Sequence, residues 1–161
     1  MHNSIAVGLA EIKISHDPAD VLVAFGLGSC VGVGIYDPKI HLAGMLHAVL
    51  PSSKNSNDQN PAKYVDTGIQ ELLDQMARQG LNRTRMIVKI AGGANMLNLG
   101  TKTSAFDIGT RNIEMAKNTM QILGIRIVSE EVGGQIGRTV RLYIADGSMT
   151  IRVMGGKERE F

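Results

Sequence analysis

Apolar and polar positions alternate along much of this chain with the period of a strand. The alternation runs from Ser4 to Ile14, Val21 to Phe25 is a short apolar run closed by Gly26 and Gly28, and Val31, Val33 and Ile35 alternate with glycines up to Asp37-Pro38. Each stretch predicts a strand, because successive side chains of an extended chain point to opposite faces. The extended apolar pattern resumes from His41 to Leu50 and stops at Pro51, so this region predicts a hairpin turned at Asp37-Pro38.

The polar stretch from Ser52 to Asn60 predicts a loop, with Asn60 and Pro61 suited to begin a helix. Val65, Ile69, Leu72, Leu73 and Met76 recur at helical spacing, and Gly80 stops that helix. A strand from Met86 to Ile90 runs into Ala91-Gly92-Gly93-Ala94, followed by a loop to Ser104. A second helix, about Asp107 to Leu123, has Ile113, Ala116, Met120 and Leu123 on one stripe and stops at Gly124. Ile125 to Val132, Thr139 to Ala145 and Met149 to Met154 read as strands, the last two joined by a two-residue turn at Asp146-Gly147. The tail, about 155–161, is expected to fray. Hairpins rather than a βαβ alternation predict an α+β fold, and 161 residues suit a single domain over 1–161.

A content of 43% hydrophobic and 20% charged residues is that of a globular chain. The net charge of +2, with no basic run interleaved with aromatics, argues against a nucleic-acid partner. One cysteine cannot form an internal disulfide, which favours the cytoplasm. The N-terminal apolar stretch is interrupted by Glu11 and Lys13, too soon for a signal peptide or a span, so no direct membrane insertion is expected.

The candidate chemistry is on the hairpin. A tight turn over Asp37 to Ile40 sets Cys30 opposite His47, with Val31, Val33 and Ile35 facing Leu46, Gly44 and Leu42 on an apolar core side. Opposed side chains have Cβ atoms about 4.5–5.5 Å apart, close enough for a thiol and an imidazole to share a proton. Gly32 and Gly34 then leave a trough along which a slim substrate group approaches the thiol, or else they let another layer pack closely. A slip of one residue moves Cys30 to the core side, where a lone cysteine is a small inert hydrophobe. Other motifs are weaker. GLGSCVG has Val31 where GxGxxG needs its last glycine, which argues against a dinucleotide. AGGAN at 91–95 either lines an anion-binding pocket through Gly92 and Gly93 or is a plain turn. His2, His16, His41, His47 and Cys30 lack metal-ligand spacing, so neither a metal nor a cofactor is expected, and His16 and His41 read as surface or turn residues.

GLGSC at 26–30, GIYDP at 34–38, GMLHAVLP at 44–51, AKY at 62–64, KIAGGANM at 89–96 and IGTRN at 108–112 resemble, in order and over nearly the whole chain, the bacterial chemoreceptor glutamine deamidases, the CheD family. The resemblance implies a layered α-β-β sandwich of cysteine-hydrolase type, two packed, largely antiparallel sheets with helices outside. It also implies hydrolysis of glutamine side-chain amides on chemoreceptor cytoplasmic helices, releasing ammonia, with Cys30 as nucleophile and His47 as base. Backbone N–H groups around Gly28, Ser29 and Cys30 are the oxyanion candidates, with Gly32, Gly92 and Gly93 as further pocket candidates. The family's third catalytic residue is a threonine six positions before the cysteine, and that place is Ala24, which cannot hold an imidazole through its side chain. A backbone carbonyl, a water or Ser29 are the candidate substitutes. The resemblance therefore leaves a working deamidase and, as the alternative, a weakened regulatory module that binds a CheC-type phosphatase of the response regulator.

Overall fold

In a computed structural model, which describes residues 2–54, 57–96 and 107–161, the segment from Ser4 to Ile14 is two strands rather than one, β1 (Asn3–Ala6) and β2 (Glu11–Ser15). Ala10 adopts a left-handed φ of 59°, and the chain between the strands crosses from one sheet to another. One sheet continues from β1 through β3 (Asp20–Leu27), β8 (Arg138–Tyr143), β9 (Met149–Val153) and β10 (Arg159–Glu160). The other runs from β2 through β5 (Leu42–Ala48), β4 (Val31–Asp37), β6 (Ile87–Gly92) and β7 (Ser129–Val132). The β1–β3 and β6–β7 pairs are parallel and the other pairs antiparallel.

Helix α1 (Val65–Ala77) follows a 3₁₀ turn whose cap is the Asn60 side chain, accepting from the Ala62 N–H. Helix α2 (Ile108–Ile122) is capped by Asp107, which accepts from the Thr110 N–H. Val65, Ile69, Leu72, Leu73 and Met76 of α1, with Ala116 and Met120 of α2, pack on the β4–β5–β6 sheet against Val33, Ile35, Leu46 and Ile90. The result is the expected α-β-β layering, with both helices on the same sheet.

The second core lies between the sheets, where Leu22, Ala24, Leu27, Val140, Leu142 and Met149 meet Tyr36, Met45 and Ala91. Here the glycines of β4 act differently from the open trough predicted for them. A Cβ on Gly34 would stand 2.5 Å from the Met149 sulfur, and one on Gly32 would stand 3.1 Å from Leu27 Cδ1. The trough is filled by side chains of the opposite sheet, so Gly32 is buried packing space and not part of a substrate pocket.

The hairpin register also differs from the sequence expectation. Val31 pairs with Ala48, Gly32 with His47 and Asp37 with Leu42, so the connection is the four residues 38–41 rather than a tight turn. Asp37 stays in the ladder because its buried carboxylate accepts from the Lys39 and Asn82 N–H groups and from Arg85 Nε at 2.5 Å. His41 closes the loop at φ 49°, its Nδ1 3.0 Å from the Tyr36 hydroxyl. The shift is two residues, an even number, so every side chain keeps its predicted face.

Three further expectations are corrected. The tail is not frayed: β10 pairs with β9, Arg159 bridges to Glu131 at 2.8 Å, and Lys89 Nζ donates to the Phe161 carbonyl at 2.7 Å. Asp146-Gly147 lies inside a six-residue connection, 143–148, because Leu142 and Met149 are the last pair of the ladder. Of Ile125 to Val132 only β7 is a strand, while Ile125 and Ile127 pack on the helix-side core. The predicted loop ending at Ser104 falls largely on 97–106, outside the described residues.

Burial pushes the Asp37 carboxyl up, but Arg85 and the two N–H donors outweigh it and hold it below the usual carboxylate range. Asp37→Ala should therefore cost about 2–3 kcal/mol in urea unfolding at neutral pH. A depressed carboxyl contributes stability above its unfolded pKa and loses it as pH falls, so the gap between wild type and variant should close under acid. A gap independent of pH would show that the carboxylate is not what closes this turn.

Candidate active site

The break between β1 and β2 lays Val7 beside β5. The Ala10 N–H donates to the His47 carbonyl at 2.9 Å, and His47 Nδ1 lies 2.9 Å from the Val7 carbonyl oxygen. A carbonyl can only accept, so Nδ1 carries the hydrogen and Nε2 carries the lone pair. Nε2 is buried and has no hydrogen-bond partner among the described residues. Burial lowers the pKa of this imidazole, opposed in part by the Val7 carbonyl and the charge of Glu11. At 3% exposure, His47 lies within the wall of the sandwich, its imidazole biased toward the neutral form.

Cys30 ends the short segment 28–30 that joins β3 to β4 and packs, half-buried, against the core between the sheets. His47 is paired with Gly32, so Cys30 is its diagonal neighbour on the same strand face and not the directly opposed residue. Diagonal positions are about 7–8 Å apart, within reach of an imidazole, whereas opposed ones are nearer 5 Å. No hydrogen bond joins the two groups. Burial raises the thiol pKa, and its own backbone N–H offsets part of the rise. Both groups are consequently shifted toward their neutral forms.

The thiol segment is held from three sides. The Gly93 N–H donates to the Cys30 carbonyl and the Ala94 N–H to the Gly28 carbonyl, both at 2.8 Å. Asn112, wholly buried in α2, donates through Nδ2 to the Ser29 carbonyl at 2.9 Å and to the Val49 carbonyl at 3.0 Å. One amide thereby ties the cysteine segment to the end of the histidine strand. Gly109 lets α2 approach this closely, since a Cβ there would stand 2.4 Å from the Ala94 carbonyl oxygen.

AGGAN is thus a strap and not an anion cradle. The Gly93 N–H is committed to Cys30, and Gly92, at φ 105°, leaves no room for a side chain, because a Cβ would stand 2.2 Å from the Cys30 carbonyl oxygen. Gly28, Ser29 and Cys30 remain the candidates for oxyanion donors, since their N–H groups donate to no carbonyl of the described residues. Ala24 is fully buried in the core that also contains Val7 and against which Cys30 packs. The group on Nδ1 is the Val7 carbonyl, a backbone acceptor of the kind considered from sequence as a substitute for the threonine. Asn112 was missed as a site residue. Its signal was a lone amide on an otherwise apolar helix stripe, within the IGTRN motif.

A family model described as CheD chemotactic sensory transduction matches residues 49–153 of the chain. That match begins two residues after His47, but whole-chain relatives extend across the thiol and imidazole segments. A protein of Symbiobacterium thermophilum named "Probable chemoreceptor glutamine deamidase CheD" is 41% identical over 96% of this chain and 95% of its own length. One of Desulforamulus reducens with the same name is 43% identical over 94% and 91%. The crystal structure of Neisseria meningitidis protein NMB0706 is similar with a TM-score of 0.52 and 7% identity, covering 84% of this chain and 65% of that one, a likeness of fold alone. Two relatives above 40% identity along nearly their full lengths, together with a family match over residues 49–153, establish that this chain belongs to the CheD family.

Proposed function

We propose that this protein hydrolyses glutamine side-chain amides of chemoreceptors to glutamates by a Cys30–His47 thiol mechanism. The observation that carries the reading is the buried His47 ring, with Nδ1 committed to the Val7 carbonyl and Nε2 without a partner on the face that carries Cys30. In a chain of this family, that is a general base fixed in one tautomer beside a nucleophile.

Nε2 takes the thiol proton as sulfur adds to the amide carbon, forming a C–S bond and a tetrahedral oxyanion. The N–H groups of the Gly28–Cys30 segment, which donate to no carbonyl of the described residues, are its donors. The imidazolium returns the proton to the departing nitrogen, ammonia leaves, and a thioester remains. His47 then draws a proton from water, whose oxygen attacks the thioester and releases glutamate with the thiol restored.

The weakened-enzyme reading rested on Ala24. With Nδ1 already bound to a backbone carbonyl, a side-chain hydroxyl at position 24 is not needed to orient the ring. A CheC-type phosphatase remains a partner that the family resemblance suggests, and it would approach the same surface. The described helices include none long and apolar enough to cross a membrane.

Incubation with the cytoplasmic fragment of a chemoreceptor should convert specific glutamines to glutamates, read as a mass gain in peptide mapping and as released ammonia. Cys30→Ala should abolish conversion, and His47→Gln should reduce it about 10²–10⁴-fold; full activity in Cys30→Ala would end the proposal. Ala24→Ser should change kcat by less than threefold, whereas a large gain would mean that the Val7 carbonyl holds the ring poorly.

The pH profile follows from the two pKa directions. The active pair shares one proton, so kcat/KM should rise as His47 deprotonates, below the ordinary imidazole value of about 6.5, and fall only as Cys30 ionises, above the ordinary thiol value of about 8.5. A broad profile whose acid limb lies at about pH 4, where an ion-paired thiol would ionise, would instead indicate a preformed thiolate–imidazolium pair.

A further inference from the structure

Beyond the catalytic pair, a groove of about 670 Å³ lies on the outside of the β3–β8–β9 sheet. That volume is in the range of pockets that hold ligands. Its apolar side is built from Phe25, Met96, Ile136 and Met154, all more than half exposed, Met154 at 95%. Four large apolar side chains in water around one depression are more than the scattered exposure expected of a surface.

The groove is also cationic. Arg138, Arg141 and Arg152 line it, and no carboxylate does. The Arg138 guanidinium is turned inward, donating to the carbonyls of Glu131, Gly133 and Ile136, and so shapes the loop that forms one wall. Arg141 and Arg152 are in no ion pair among the described residues. Arg152 Nε donates to the Gly156 carbonyl, and both arginines act through charge on Glu158, whose carboxylate is held by the Tyr143 and Thr150 hydroxyls. Even with Glu158 counted, the two guanidinium groups of Arg141 and Arg152 stand against one carboxylate.

The groove adjoins the catalytic segment. Met96 packs on Gly28, its Cγ 3.3 Å from where a Gly28 Cβ would stand, and Phe25 and Gly26 belong to the strand that leads to Cys30. A chain bound along the groove would therefore pass the thiol within a few residues.

We infer that this groove docks the part of the protein substrate that flanks the target glutamine, an amphipathic helix with an apolar stripe beside carboxylates. The inference rests on the proposed deamidase reading and assigns that site's substrate recognition to Phe25, Ile136, Met154, Arg141 and Arg152. The apolar wall takes side chains at i, i+3 and i+4 spacing, and Arg141 and Arg152 meet the acidic edge. Docking of this kind lowers KM without touching the chemical step, because it acts equally in the ground state and the transition state.

The test uses the full-length protein and a chemoreceptor cytoplasmic fragment, with two variants that leave the buried cores intact. These are the double variant Arg141→Glu with Arg152→Glu, and Met154→Glu, which adds a carboxylate to the apolar wall. Binding is measured by fluorescence anisotropy on a Cys30→Ala background, and turnover by peptide mapping on the Cys30 background. Each variant should weaken binding and raise KM at least tenfold, with kcat within twofold, an unchanged melting temperature and an unchanged rate of Cys30 alkylation by iodoacetamide. Wild-type affinity should fall with added salt, and that of the double variant should not. Equal affinity of wild type and variants, or no binding by wild type, overturns the groove assignment. Tight, groove-dependent binding without glutamine conversion supports the groove and overturns the deamidase reading instead.

Discussion

Everything around the site depends on how closely the two sheets approach at β4. Sheets usually pack about 10 Å apart with side chains interleaved from both inner faces. On β4 two of those inner positions are Gly32 and Gly34, and Leu27 and Met149 of the other sheet occupy the space above them. This close contact seals the His47 ring within the wall, away from water. Burial then makes the imidazole neutral, and the crossing segment at Val7 supplies the one acceptor it needs. The same glycines that would make an open trough in an isolated hairpin make a buried base in the assembled sandwich.

The site is assembled from short-range ties with long sequence reach. Asn112 joins the segment around Ser29 to Val49, and the N–H groups of Gly93 and Ala94 hold Cys30 and Gly28. A buried amide making two bonds to backbone carbonyls rigidifies both of them, because leaving either carbonyl unpaired in the interior costs about 1–3 kcal/mol. The thiol thus stands on a braced backbone, while the N–H groups of Gly28 and Ser29 donate to no carbonyl of the described residues. Bracing by carbonyl acceptors, with donors left over, is the arrangement the proposed thiol mechanism would use.

Much of this was legible in the residue pattern, and what was not has identifiable causes. The strands, the helices, the α+β class and the common face of Cys30 and His47 follow from periodicity, and a face depends only on whether a shift is even or odd. The hairpin register depends on the loop, and there Asp37, locked by Arg85 and Asn82 from 45 to 48 residues away, kept itself in the ladder and moved the register by two. Local pattern holds no trace of such a partner. The division of Ser4 to Ile14 was hidden for a similar reason: alternation continues through a crossing, and only Ala10 at positive φ marks it. The tail looked loose because its anchors, Glu131 and Lys89, lie far away in sequence. The Val7 carbonyl that holds the His47 ring is main chain, so it carries no residue-type signal at all.

The central claim is that the Val7 carbonyl holds His47 in the tautomer with hydrogen on Nδ1 and a free lone pair on Nε2. Nitrogen-15 NMR of the histidine rings at neutral pH measures this directly. The account predicts a protonated, pyrrole-type Nδ1 and an unprotonated, pyridine-type Nε2 for His47, unchanged in Ala24→Ser. A ring protonated on Nε2 with Nδ1 bare, or one carrying both hydrogens at neutral pH, would contradict it.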